Sequence, residues 1–304
     1  MLVLVAGSTG LVGSAIVKHF QDRDYEVHGV STANLNLLNR GDTFEYLHDL
    51  RPNAVINAAA VVGGIGANDS FPVDFLSKNL QIQVNIMDAA HSANVERFVF
   101  LGSSCIYPRD SEQPIREDML LTGPLEETNS AYAIAKIAGI ELVKSYRKQF
   151  NRSWISLMPT NIYGLNDNFD VSTGHVLPAL INRFVSAKQE GKNRVVLWGS
   201  GRPRREYLHT SDLASAVRFA FEKYDESDHL NIGTGNDISI RDLAELIASE
   251  VGYTGQIGWD ASKPDGTLRK VLDVSRIRSL GWEPKIDLRQ GIQSTIQWFM
   301  ARVK

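Results

Sequence analysis

Five apolar residues, Leu2-Val3-Leu4-Val5-Ala6, run directly into glycines at 7, 10 and 13 and then into an amphipathic stretch that ends near residue 22. A wholly apolar run of this length is expected of a strand buried on both faces of a parallel sheet. The glycines narrow the possibilities further. Gly7 permits a tight turn, Gly10 lets a pyrophosphate approach the backbone, and Gly13 allows the helix to lie close on the strand. The helix N-terminus then supplies N–H donors and a positive dipole. The spacing in Gly7-Ser8-Thr9-Gly10-Leu11-Val12-Gly13 is a weak signal alone and gains weight from its strand–turn–helix setting.

The pattern repeats down the chain. Strands are expected over 25–30, 54–57, 97–101 and 154–158, and helices over 42–51, 72–93 and 130–149, with a Gly-rich loop at 62–66. Strand and helix thus alternate as in an α/β fold, a Rossmann-type doubly wound parallel sheet. Past Pro159 the order loosens. Residues 163–173 read as a long Gly/Asn/Asp loop, followed by a helix over 175–189, a strand over 195–197, a polar turn at 199–204, and helices over 211–222, 240–251 and 288–300. A smaller C-terminal α/β unit is expected to cap the sheet, with the site in the cleft between them.

At 304 residues, with 43% hydrophobic and 22% charged residues and a net charge of −3, the chain has no basic run to suit nucleic acid and no apolar run to span a membrane. Its one cysteine, Cys105, leaves no internal disulfide and fits a reducing, cytoplasmic setting. The opening residues read as a strand and not as a signal peptide. No metal site is expected.

The stretch with the most chemistry is Leu101-Gly102-Ser103-Ser104-Cys105, followed by Tyr132-Ala133-Ile134-Ala135-Lys136. Tyr132 and Lys136 are four apart and share a helix face. A tyrosine is a poor acid at its usual pKa of about 10, and an ammonium one turn away favours its phenolate. Ser103, ending the fourth strand, is placed to hydrogen-bond a substrate oxygen beside that phenol. Alone, Tyr132 and Lys136 would be an ordinary surface pair. Cys105, two residues past Ser103, is expected on the same face of a strand, where a thiol could take a proton from a carbon acid. His175 could be the partner acid. After the second strand stand Ser31 and Thr32, where an acidic residue would grip a ribose hydroxyl and a basic one a 2′-phosphate.

These segments resemble the extended short-chain dehydrogenase/reductases. Within that family they are similar to the branch acting on GDP-linked 4-keto-6-deoxy sugars. The resemblance rests on residues 58–68 (AAAVVGGIGAN), 101–108 (LGSSCIYP), 131–139 (AYAIAKIAG), 158–164 (MPTNIYG), 198–201 (WGSG), 205–209 (REYLH) and 260–267 (DASKPDGT), in order along nearly the whole chain. It implies a sheet domain over 1–163, joined by about 206–235 and 286–304, and a substrate cap over 164–205 and 236–285. It implies two reactions, 3,5-epimerisation of a GDP-4-keto-6-deoxy-mannose and then reduction at C4. Ser103, Tyr132 and Lys136 would form the reductase triad, with Cys105 and His175 as epimerisation base and acid. Residues 7–13, Ser31, Thr32, Leu101, Gly102, Ser103, Tyr132, Lys136, Pro159, Thr160, Asn161, Ile162 and His175 would meet the dinucleotide. Ser103, Asn161, Arg183, Trp198, Arg205, Asp265 and Lys270 would meet the sugar nucleotide. The family implies NADP(H) and a homodimer. Where its members carry one arginine in the glycine loop and another after the second strand, this chain has Thr9 and Thr32, which leaves NAD(H) open as well.

The chemistry suits the residues. A 4-keto group acidifies C3–H and C5–H, a thiol and an imidazole change protonation near neutrality, and Ser103 and Tyr132 aimed at the C4 oxygen would stabilise an enolate. Guanidinium groups bond diphosphates bidentately. Sugar dehydratases of this superfamily resemble one another in an Asp-Glu pair where this chain has Ser104 and Cys105, which argues against dehydration. A 4-epimerase would leave Cys105 and His175 without a task. A non-catalytic redox-sensing Rossmann protein would have no need of Tyr132 and Lys136.

Overall fold

The computed structural model describes residues 1–302 apart from Ser172 and Pro264. The chain opens β1 (Leu2–Ala6), α1 (Leu11–Gln21), β2 (Glu26–Val30), α2 (Arg40–Leu50), β3 (Ala54–Asn57), α3 (Ile65–Ser70), α4 (Asn79–Ser92), β4 (Arg97–Leu101), α5 (Ser130–Phe150) and β5 (Ser153–Pro159). Then come β6 (Asn161–Tyr163), α6 (Val176–Gln189), β7 (Arg194–Trp198), β8 (Arg204–His209), α7 (Thr210–Lys223), β9 (Leu230–Ile232) and β10 (Asp237–Ser239). The rest is α8 (Ile240–Val251), β11 (Gln256–Asp260), β12 (Arg269–Lys270), α9 (Ser275–Ser279) and α10 (Leu288–Met300).

The expected doubly wound sheet is present, with six strands in the order β2-β1-β3-β4-β5-β9 and every neighbouring pair parallel. Val3, Leu4, Val5, Val55, Ile56, Phe98, Val99 and Ile155 are completely buried, which is why these strands read as unbroken apolar runs. Both α5 and α7 pack on β4 and β5, covering the sheet from its two faces. The chain turns back between β1 and β3. The crevice beyond their carboxyl ends is the switch point at which ligands settle in such sheets.

Two expectations are corrected. The helix expected over 72–93 is interrupted by a π-helical turn at Asp74–Lys78, and α3 starts inside what read as a loop. This wide turn aims Phe75 at Gly63 and leaves Asn79 bonding both the N–H and the C=O of Val61, at 2.9 and 3.0 Å. Among the described residues, the strands after Pro159 also outnumber the single one expected. They are two to six residues long and gain their hydrogen bonds from distant partners such as β6 with β8, so no local period marks them. Helix α10 buries Ile292, Ile296 and Phe299 in a second core with α6 and α8, while Leu272, Val274, Ile277 and Trp282 join the core of the sheet.

One buried carboxylate joins the cores. Glu206 of β8 is 0% exposed. Its Oε1 accepts the N–H groups of Thr234 and Gly235 at 2.5 and 2.7 Å, and Oε2 accepts that of Leu272 at 2.9 Å. Glu206→Gln turns one acceptor into a donor facing those N–H groups. It is expected to cost about 2–4 kcal/mol, read as a lower urea midpoint at unchanged slope.

Candidate active site

The carboxyl edge of the sheet and the cap enclose one cavity of about 1070 Å³. Its floor is the glycine loop. Gly7 has φ +79°, and a Cβ there would stand 2.8 Å from Ala59 N and 2.9 Å from Ala58 O. A Cβ at Gly13 would stand 2.0 Å from Gly7 O, so that glycine lets α1 lie on the turn. Gly10 differs. A Cβ there would meet nothing closer than 3.5 Å, so the protein's own packing does not require a glycine. Its bare backbone lines the cavity at the start of α1, which has no side-chain cap and no acidic residue in its first turn. Uncapped N–H groups beside a cradle that a Cβ would fill fit the diphosphate of a dinucleotide.

The cavity wall rises from β4. Gly102 lets Met158 approach, since a Cβ there would lie 2.4 Å from its sulfur. Ser103 and Cys105 do not share a strand face as expected. Ser103 caps a 3₁₀ turn, Ser104–Ile106, and its Oγ accepts the Cys105 N–H at 3.2 Å. Both still line the cavity, because the tight turn swings the thiol round toward the cap. Tyr132 and Lys136 face them from α5. This helix sits close to β4 because Gly139 has no Cβ, which would lie 2.3 Å from the Phe100 ring. Lys136 Nζ accordingly reaches Leu101 O at 2.9 Å and lies 5.7 Å from the Tyr132 ring centroid.

Burial decides the protonation of this pair. Lys136 is 4% exposed, and desolvation lowers its pKa to about 8. Tyr132 is pushed well above the usual tyrosine value, first by desolvation and then by the charge of Cys105, with Ser103 opposing. In the free protein burial thus outweighs the pull of the ammonium toward the phenolate. Tyr132 holds its proton and stands ready as a donor. His175 opens onto the cavity just before α6, yet it is packed closely enough that desolvation lowers its pKa.

From the cap come Trp198 (68% exposed), Arg205, Asp265 and Lys270. Arg205 Nη1 donates to Thr267 O at 2.6 Å, and Asp265 accepts the N–H and Oγ of Ser200 at 2.8 and 2.6 Å. Lys270 Nζ donates to Cys105 Sγ at 3.6 Å. Pro159, Thr160, Asn161 and Ile162 also line the cavity, and Asn161 Nδ2 is tied to Glu206 O at 2.7 Å.

Two expected residues stand apart. The Ser8 side chain lies against Gly29 of β2, and Arg183 sits one turn beyond Ala179, the last residue of α6 on the cavity wall. Thr9, Ser31 and Thr32 line the glycine-loop end, where no lining residue from 7 to 38 carries a charge. The sequence reading missed Arg109, Gln113, Glu126 and Thr128 on the wall. Their one signal was the length of the polar loop before α5.

A family model described as the NAD dependent epimerase/dehydratase family matches residues 3–233. The chain belongs to that family. It is 49% identical over 302 residues to GDP-L-fucose synthase 1 of Arabidopsis thaliana, spanning 99% of this chain and 94% of that protein. The fold matches the crystal structure of a GDP-6-OMe-4-keto-L-xylo-heptose reductase from C. jejuni, with TM-score 0.94 and 31% identity over 99% of this chain and 98% of that one. It also matches a GDP-L-fucose synthetase from Naegleria fowleri bound to NADP, with TM-score 0.91 and 28% identity over 99% and 94% of the two chains.

Between about pH 8 and the ordinary lysine value, the unfolded chain keeps a proton on Lys136 that the folded chain has released. The burial penalty is thus full below pH 8 and relieved as pH rises. Relative to Lys136→Met, the wild-type chain should gain up to about 3 kcal/mol of stability from pH 7 to 10.5, read by denaturant titration of both proteins.

Proposed function

We propose that this chain inverts C3 and C5 of GDP-4-keto-6-deoxy-D-mannose and then reduces C4 to give GDP-L-fucose, the product for which its Arabidopsis relative is named. The observation that carries the reading is the company Cys105 keeps. The thiol shares one cavity with Ser103, Tyr132 and Lys136 on one side and His175 on another. A reductase alone needs the first three. A thiol and an imidazole lining the same space supply the base and acid that inversion at a carbon next to a ketone requires.

In this reading Cys105 removes the proton from C3 or C5 and His175 returns one to the opposite face. The free imidazole is largely neutral at pH 7, because burial lowers its pKa. A bound diphosphate and a developing enolate favour its protonated form. Ser103 and Tyr132 donate to the C4 oxygen and stabilise the enolate. The glycine loop would hold a reduced nicotinamide dinucleotide, whose chemistry when bound is hydride donation for the second reaction. Tyr132, already protonated, then gives its proton to the new C4 hydroxyl. Lys136, fixed on Leu101 O one helical turn from the phenol, would hold the nicotinamide ribose.

Trp198 offers an aromatic face at the open end of the cavity for the base, while Arg205 and Lys270 meet the diphosphate sugar. The dinucleotide is NADP(H) by preference, supported by the NADP-bound structural neighbour. Ser31 and Thr32 take the place of charged residues at the 2′ group, which leaves NADH open as a second hydride donor. The chain acts as a homodimer in the cytoplasm, where Cys105 stays reduced.

Incubation in deuterated water separates the two reactions. Cys105→Ser should lose exchange at C3 and C5, and Tyr132→Phe should stop nucleotide oxidation while exchange persists. Full exchange in Cys105→Ser would remove the thiol from the mechanism. Thr32→Arg should improve kcat/KM for NADPH over NADH by about tenfold, the worth of one phosphate contact.

A further inference from the structure

Two inversions by one thiol pose a chemical problem. When the Cys105 thiolate takes a proton from the first carbon it becomes a thiol and leaves an enolate, which His175 quenches from the other face. Before the second carbon can react, the S–H proton must pass to water and the imidazole must take one up. A thiol of ordinary pKa, about 8.5, is only a few per cent ionised at pH 7.

The structure places a cation against that sulfur. Lys270 ends β12, and its Nζ donates to Cys105 Sγ at 3.6 Å. The parallel pairing of β12 with β8 sets Lys270 beside Arg205, so two cations line this part of the cavity. Neighbouring Arg204 and Arg269 both pair with Asp237, at 2.7 and 2.5 Å. Among the described residues no carboxylate pairs with Lys270. The other groups acting on the thiol are Tyr132 from α5, which holds its proton, and Arg205 from β8, itself influenced by Glu126 from the loop before α5.

We propose that Lys270 is a positioning residue whose ammonium, held against Cys105 Sγ, favours loss of the S–H proton between the two inversions. An opposite charge this close stabilises the charged form of an acid, and an adjacent lysine is one of the settings that make cysteines reactive. The proposal rests on the reading of Cys105 as the base, and it adds a task to a residue otherwise expected only to bind the sugar nucleotide.

Because Cys105 is the chain's only cysteine, its ionisation can be followed without interference. The test is the rate of iodoacetamide alkylation against pH, measured by mass on the substrate-free protein. Lys270→Met should raise the midpoint by about one unit and slow alkylation at pH 7 about tenfold, and Lys270→Arg should restore most of it. Lys270→Gln serves if the Met variant does not fold. A Met or Gln profile that superimposes on wild type overturns the proposal. Retained exchange in Cys105→Ser would instead defeat the base assignment while leaving the Lys270 titration shift intact, so the two failures are distinguishable.

Discussion

A carboxylate without access to water holds the two halves of this molecule together. Glu206 is tolerated in the interior only because backbone N–H groups from two separate segments converge on it, at Thr234–Gly235 and at Leu272. Desolvation still raises its pKa, and the N–H groups oppose that effect. Its own carbonyl takes the Asn161 amide. The residue therefore fixes β8 against the loop after β9 and against the segment after β12. Arg205, Lys270 and Asn161 inherit their positions from that arrangement. The cap's share of the cavity is set by backbone hydrogen bonds and not by the flexible reach of surface side chains.

The cavity itself is electrostatically divided. At the glycine loop the lining is uncharged, and the available attraction for an anion is that of free N–H groups at the start of α1. At the cap end Arg205 and Lys270 stand together. Between them, burial overrides Coulombic attraction. Lys136 is too deeply placed to hold its proton firmly, and Tyr132 is too deeply placed to lose one. Burial thus pushes both side chains toward their neutral forms, against the pull of an ammonium on a phenol.

Much of this was legible in the residues. The sheet could be read because strands buried on both faces are continuously apolar, as in Leu2–Ala6, and the glycine loop because Gly7 and Gly13 answer to local sterics. Tyr132 and Lys136 could be paired because helix geometry fixes i and i+4. The cap resisted. Its strands are as short as Arg269–Lys270 and form only through partners far away in the chain. The contact between Lys270 and Cys105 spans 165 residues, and no periodicity reports it. The 3₁₀ turn after Ser103 was hidden for a similar reason: Ser-Ser-Cys-Ile carries no signal that a strand has ended.

The wide turn at Asp74–Lys78 has an evolutionary consequence. A π turn amounts to one extra residue carried within a helix, and losing it would rotate everything downstream by about 100°. Asn79 would swing away from Val61, and Phe75 would leave its edge-on contact with the Tyr132 ring at 6.3 Å. Homologous chains that line the cavity in this way can therefore vary the residues of this segment freely only where its length is kept. A single-codon deletion here would do more harm than most substitutions, because it moves the cavity's wall and the support of the Tyr132 ring at the same time.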